Sequence, residues 1–431
     1  MPRRKIKEKP EAKVKKVKNL RKRPDIARRQ ANEANVKSLR KTSSGKPGAT
    51  TVQRRAAFSY TAASEIAAST KVPKGPRPDA NATRFDGITL RVGSDCSGMC
   101  AEILALETLL KPTHKLHHAF ASDKNPGVRN FIKHAYNDVG MVYCDIHQRD
   151  VTKMCHVHLY HAGFPCTPWS GGGKQQGAID PNGNLFFPIY VYVARWLPST
   201  FVLENVASLP EQFPDTFMLM LEMLQTIKER NKVAYAIDFR IFDSFDHGMP
   251  VARKRVYIVG TRLTHQCAEM VWPPCSRTRR RLSEILDLPR YNEPEPQDMT
   301  RTNLKNLVII LQGVCEKDFR EKEFICDLVS SKPQQSLDKC MTLTKTRCQS
   351  GAGIYSSKRN KSLTPIDFLR LNGIPGKRFK HWHSFASRAL MGGMCGNGEA
   401  LNVLTPIIKA ALATIGLNDT KDPDWAKLDL K

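Results

Sequence analysis

Apolar residues in this chain recur with two periods that trade places between Gly87 and Gly260. Ile88, Leu90 and Val92 alternate in ITLRVGSD, the period of a strand. The following stretch sets Ile103, Leu104, Leu106, Leu109 and Leu110 on a helical stripe. HHAFASD predicts a second strand ending in Asp123, and NPGVRNFIKHAY a second helix. MVYCDI, with Asp145 near its end, HVHLYHAGF and TFVLENV predict strands three to five. FPDTFMLMLEMLQTIKERN predicts one amphipathic helix, and VAYAIDFRIFD and KRVYIVG two further strands. Alternating strands and helices predict an α/β fold around a mostly parallel sheet.

Near Thr261 the alternation stops. Residues 261–340 contain a Pro-Pro pair, the arginines Arg277, Arg279, Arg280 and Arg281, and the segment PRYNEPEPQ, and read as a smaller unit. Core-like patterning returns at LTPIDFLRLNGIP and GNGEALNVLTPIIKAALATIG. The expected organisation is a basic tail and linker over 1–83, the first part of the main domain over 84–260, a small unit over 261–340, and the rest of the main domain over 341–416 before a short tail.

Charge sharpens this picture. The chain holds 68 Lys and Arg against 41 Asp and Glu, a net +27, and its first 80 residues hold 23 against 6. So basic a segment repels itself and is expected to be disordered alone. A polyanionic partner is expected, with nucleic acid leading because phosphates form a dense line of charge. The tail lacks the apolar face that binding an anionic membrane requires. It reads as an import signal, a nucleic-acid-binding arm, both, or a solvated solubility tail. The 12 cysteines form no CxxC pair and the N-terminus does not read as a secretory signal, so a reduced intracellular compartment is expected. No apolar run approaches the ~18 residues of a membrane span.

Candidate chemistry gathers at strand ends. Cys166 stands between Pro165 and Pro168 in HAGFPCTPWSGGG, just past the fourth strand. It is either a buried cysteine in a tight turn or a nucleophile at the ligand edge of an α/β sheet. Asp123, Asp145 and Glu204 close three other strands, where carboxylates hold ligands or cap helices. The turn SDCSGMC lacks GxGxxG, which disfavours a pyrophosphate and suits a cofactor without phosphates whose ribose meets Asp123. Cys155, His156, His158, His161 and Cys166 lie close together, but His156 and His158 fall on one strand face and Cys155 and His161 on the other, and no CxxC is present, so no metal is expected there.

GFPCTPWSGGG, LENV, PVARKRVYIVG, SLTPIDFLRLNGIP and GNGEALNVLTPI follow one another in the order of the conserved blocks of cytosine carbon-5 DNA methyltransferases. GSDCSGMCAEILALE stands where that family has its first cofactor block. The chain resembles that family over roughly residues 88–413. The resemblance implies a Rossmann-like methyltransferase sheet with a small target-recognition domain, S-adenosylmethionine as cofactor, duplex DNA as partner and the nucleus as location. It implies that Cys166 is the nucleophile, that Glu204 contacts the cytosine ring, and that Arg253 and Arg255 lie near a flipped-out base and its phosphate. Ser97, Gly98 and Met99 would line the methionine part of the cofactor, Asp123 its ribose, and Asp145 with Ile146 its adenine. Asn397 matches the asparagine of the last block.

Several positions depart from the family pattern. Cys96 replaces an aromatic, Cys100 a glycine, Thr167 and Val251 glutamines, and Glu399 a valine. Cys166, Glu204, Arg253 and Arg255 are intact, which favours an active enzyme over a non-catalytic nucleic-acid-binding relative. An RNA-directed relative is the other alternative, but the Cys-Phe-Thr signature of the tRNA-acting branch does not occur here.

Overall fold

The computed structural model describes residues 67–68, 70–73, 83–165, 185–276, 278–289, 291, 298–425 and 427–431. The seven strands read from the sequence join in one sheet: β1 (Thr89–Asp95), β2 (Lys115–Ser122), β3 (Met141–Tyr143), β4 (Leu159–Gly163), β5 (Thr200–Val206), β6 (Tyr235–Asp243) and β7 (Lys254–Arg262). Their spatial order is β3-β2-β1-β4-β5-β7-β6. β1 to β5 pair in parallel, while β7 lies antiparallel between β5 and β6. The turn from β6 to β7 is too short for a crossover helix, so these two strands form a hairpin. The strand order reverses between β1 and β4, and ligands of such sheets bind at the carboxyl ends beside that point.

Helices cover both faces. The α-helices of seven residues or more among the described residues are α1 (Ala101–Leu109), α2 (Pro126–Ala135), α3 (Phe186–Trp196), α4 (Pro214–Thr226), α5 (Arg301–Leu311), which packs on a second, smaller sheet, α6 (Pro365–Leu371), α7 (Arg388–Asn397) and α8 (Leu401–Thr414). α1, α2 and α8 pack with Leu90, Val92, Leu159, Val202 and Val259 on one face. α3 and α4 pack with Phe120, Tyr160, Phe201, Leu203 and Ile258 on the other. The central strands β1, β4 and β5 therefore bury side chains on both faces, the usual condition of a parallel sheet. Gly93 is required in β1, because a Cβ there would lie 2.3 Å from the Phe120 ring.

One local expectation fails, and one helix goes unmarked in the sequence, each for an identifiable reason. α4 stops at Thr226, and the IKERN segment turns through Arg230 and Asn231, both at positive φ, into a two-residue hairpin. α3 is built from FFPIYVYVARW, whose aromatic and β-branched residues carry no helical signature. Pro188 falls in its first turn, where a proline costs no hydrogen bond.

A second, antiparallel sheet of β8 (Phe324–Asp327), β9 (Gln334–Leu337), β10 (Ile354–Ser356) and β11 (Lys361–Ser362) has the order β9-β8-β10-β11. With α5 it encloses a small core of Ile310, Phe319, Cys326, Leu328 and Tyr355. Its last strand ends at Ser362, whereas Leu282, Ile285 and Leu286 belong to the large core. Among the described residues no helix is long and apolar enough to cross a membrane. The basic tail expected to be disordered lies outside the described residues, apart from a few near 70.

Candidate active site

The carboxyl ends of β1, β2, β4 and β5 converge with the start of β7, because β7 runs the other way and pairs Arg255 with Val206. Glu204 is buried there, and Arg255 Nε stands 2.8 Å from its Oε1. Burial, and then the neighbouring charge of Glu399, raises Glu204 to about 7 against the pull of Arg255, Arg253 and His161. Next to it, Asn205 Nδ2 donates to the Phe164 carbonyl at 3.4 Å, tying the end of β5 to the chain leaving β4. Pro165 is the last described residue of that exit; Cys166, Thr167 and the glycines Gly171 to Gly173 lie outside the described residues.

Arg253 does not face this space. It is buried, and its Nη1 donates to the carbonyls of Leu343 at 2.8 Å and Gly396 at 3.2 Å, while Nη2 donates to that of Gly398. Its amide also donates to Asp243 Oδ1 at 2.9 Å. The two arginines of the Arg-x-Arg pair thus separate: Arg255 meets Glu204, and Arg253 anchors the last block, where Asn397 ends α7 exposed. Val251 is fully buried in a bridge to Cys340, with Ala252 N donating to Cys340 O at 2.9 Å, so main chain braces the segment where a glutamine was expected.

The turn after β1 is wound tightly. Cys96, Gly98 and Cys100 all have positive φ, which places both cysteine departures in backbone that glycine adopts at less cost. Ser97 N donates to Ser122 O at 2.8 Å, and its Oγ accepts the Ser122 amide at 2.8 Å. Asp123 accepts the amides of Gly98 at 3.3 Å and Asn125 at 2.8 Å, yet burial raises it above the usual carboxylate range. The space above Gly98 is open, with nothing within 4 Å of a Cβ built there. Met99 is buried beside it. Ile146 is buried and Asp145 half-buried beyond β3, where Asp145 Oδ1 accepts the His147 amide at 2.9 Å. The turn, Asp123, Asp145 and Ile146 therefore lie along one sheet edge, and the two carboxyl groups with the open space above Gly98 fit a ligand bearing ribose hydroxyls.

Residues that pattern alone did not mark complete the site. Asp95, fully buried, accepts from Ser122 Oγ at 2.7 Å, from Tyr160 OH at 2.6 Å and from both Nη atoms of Arg149. Asn402 on α8 donates to the carbonyls of Ser244 at 2.9 Å and His247 at 2.8 Å, fixing the turn before Arg253. His161 stands between Glu399, 2.9 Å from Nε2, and Glu102, 3.5 Å from Nδ1, at ion-pair distance rather than as aligned hydrogen bonds. Cys100, Glu102 and His118 also approach one another in the core. Burial keeps the Cys100 thiol protonated and holds His118 neutral at about 4, so these two pack as uncharged neighbours of Glu102, which faces His161.

The arginine cluster of the small unit is dispersed. Arg279 lies 3.4 Å over the Phe245 ring, Arg280 is buried and donates to Leu428 O, and Arg281 pairs with Glu284; Arg277 is outside the described residues.

Comparison with known proteins agrees with this arrangement. The chain is 33% identical over 151 residues to the Type II methyltransferase M.NgoBI of Neisseria gonorrhoeae, covering 35% of this chain and 45% of that protein. It is 38% identical over 100 residues to the Type II methyltransferase M.HaeII of Haemophilus aegyptius, covering 23% and 30%. These matches thus span less than half the length of either relative. In fold the chain is similar to the Entamoeba histolytica methyltransferase EhMeth (TM-score 0.51, 16% identity, 75% of this chain and 98% of that one). It is equally similar to the S. pombe Dnmt2 methyltransferase (TM-score 0.51, 18% identity, 76% and 99%). The profile of the C-5 cytosine-specific DNA methylases matches residues 98–413, most of the chain, and the chain belongs to that family.

Proposed function

We propose that the protein methylates carbon 5 of cytosine in DNA, using S-adenosylmethionine and a covalent Cys166 adduct on a base turned out of its helix. The observation that carries this reading is Glu204: a buried carboxyl that keeps its proton to about 7, facing Arg255 at the sheet edge beside the exit to Cys166. Carbon 5 of cytosine is too electron-poor to take a methyl group unaided. Addition of the Cys166 thiolate to carbon 6 makes carbon 5 enamine-like. Glu204 shares its proton with ring nitrogen 3 and so stabilises the charge that addition creates. Arg255 offers fixed donors to the ring oxygen or the flanking phosphate, and Arg253 positions the last block against the site. Bound S-adenosylmethionine supplies an electrophilic methyl group, and Ser97, Gly98, Met99, Asp123, Asp145, Ile146 and Asn397 would hold it. Loss of the carbon 5 proton to a base, water among the candidates, then expels the thiolate. A stacked base cannot enter such a site, so the target must flip. The basic tail favours a polyanionic substrate and a nuclear location. Bisulfite sequencing of duplex DNA treated with the purified protein and cofactor tests the reading. New 5-methylcytosine in DNA supports it; methylation confined to a parallel tRNA sample overturns it.

A further inference from the structure

Glu102, His161 and Glu399 come from α1, from β4 and from the residues before α8, and meet within the core beside Glu204. The proposed reaction uses none of them. Their side chains are at most 6% exposed, and groups so deep stay charged only when paired. His161 faces an acid on each side, and the second oxygen of Glu399 has no hydrogen-bond partner among the described residues. Gly163, the last residue of β4, lies between Glu399 and Glu204: a Cβ there would come 3.0 Å from Glu399 Oε1 and 3.6 Å from Glu204 Oε2. The absence of a side chain lets two carboxyl groups flank one residue.

We propose that Glu399, anchored by His161, is a positioning residue that keeps a proton on Glu204, ready for the cytosine ring. This rests on the methyltransferase reading above. A second carboxyl group this close opposes the charged form of Glu204 and so favours its protonated form. Glu399 is in turn anchored by His161. Burial disfavours the protonated form of His161, but Glu399, with Glu102 and Glu204, outweighs burial and lifts it to about 9. His161, 2.9 Å from Glu399, thus holds that carboxyl against Gly163, with Glu204 on the other side. The other charged groups near Glu204 are Arg255, which faces it, and Arg253, which turns away but whose charge still favours its ionised form; burial keeps Tyr257 neutral. With an uncharged residue at position 399, burial alone would oppose the arginines, and Glu204 would hold its proton less strongly.

The test compares the full-length protein with Glu399→Gln and with the double variant Glu399→Gln/His161→Gln, which replaces the ion pair by two neutral amides if a lone His161 disturbs the fold. Two readouts are taken: the pH profile of kcat/KM for methyl transfer, and the carbon-13 titration of the Glu204 carboxyl, assigned with Glu204→Gln. In both variants the alkaline limb and the Glu204 midpoint should move down together by about one pH unit, more in the single variant because His161 also opposes the proton. Coincident profiles and midpoints in a folded variant overturn the proposal. If the unaltered protein transfers no methyl group, the methyltransferase reading fails, while the Glu204 titration still decides the link to Glu399.

Discussion

Arg253 donates to the Gly398 carbonyl, so the arginine at the start of the β7 segment holds the loop between α7 and α8 in place. With Leu343 and Gly396 it satisfies three carbonyls from two places in the chain that a shorter side chain cannot reach. Hydrogen bonds from a charged group contribute roughly 1.5–3 kcal/mol each when lost from a buried site, though not additively. We expect Arg253→Ala to lower the unfolding free energy by about 2–4 kcal/mol in urea titrations. Arg255→Ala should leave stability within about 1 kcal/mol while impairing methyl transfer. Equal effects of the two substitutions on stability would contradict their separate roles.

Asp95 carries a second structural load. Its carboxylate is the partner of the buried Arg149, in the loop that follows Asp145 and Ile146. Asp95→Asn keeps the shape and removes the charge, leaving a guanidinium buried without an anion. We expect a loss of about 3–5 kcal/mol, with weaker S-adenosylmethionine binding by calorimetry. A melting temperature unchanged from the parent would refute this.

Buried histidines set an acid limit. Burial, reinforced by neighbouring cations and imidazoles, lowers His156 to about 2 in the fold. An unfolded histidine binds its proton near ~6.5, so below that pH the unfolded state takes up a proton that the native state refuses. Stability tied to His156 is therefore present above ~6.5 and is lost as pH falls toward its folded value. His156→Leu should unfold less readily in acid, its advantage over the parent growing by about 1.4 kcal/mol per pH unit below ~6.5. Stability curves that stay parallel from pH 7 to 5 would show that His156 is not held neutral.

Much of this arrangement is legible in the sequence, and the rest is not for physical reasons. Period-two runs with turn residues at their ends locate all seven strands of the main sheet, and the carboxylates Asp123 and Glu204 sit at its edge as expected. α3 escapes because its residues suit a buried strand as well as a buried helix. Arg253 and Arg255 share one motif, and only tertiary packing turns one inward and the other toward Glu204. The pairing of His161 with Glu102 and Glu399 joins residues far apart in sequence, each of which alone reads as a packing or surface group. A departure such as Glu399 is visible in the sequence, but its meaning depends on His161 lying 2.9 Å away.

The tail is expected to supply affinity without sequence information. Deleting residues 1–45, which lie outside the described residues, should weaken binding to duplex DNA and flatten its dependence on salt, because fewer counterions are released. An identical salt slope in fluorescence-anisotropy titrations would exclude the tail from the interface.

The central claim is covalent catalysis by Cys166. A duplex carrying 5-fluorocytosine at the target position tests it most directly, because fluorine at carbon 5 cannot leave as a proton and the adduct cannot resolve. With S-adenosylmethionine present, the unaltered protein should form a denaturant-resistant complex with the duplex, and Cys166→Ser should form none. Equal trapping by both proteins, or no trapping by the unaltered protein on a duplex whose ordinary counterpart it methylates, would contradict it.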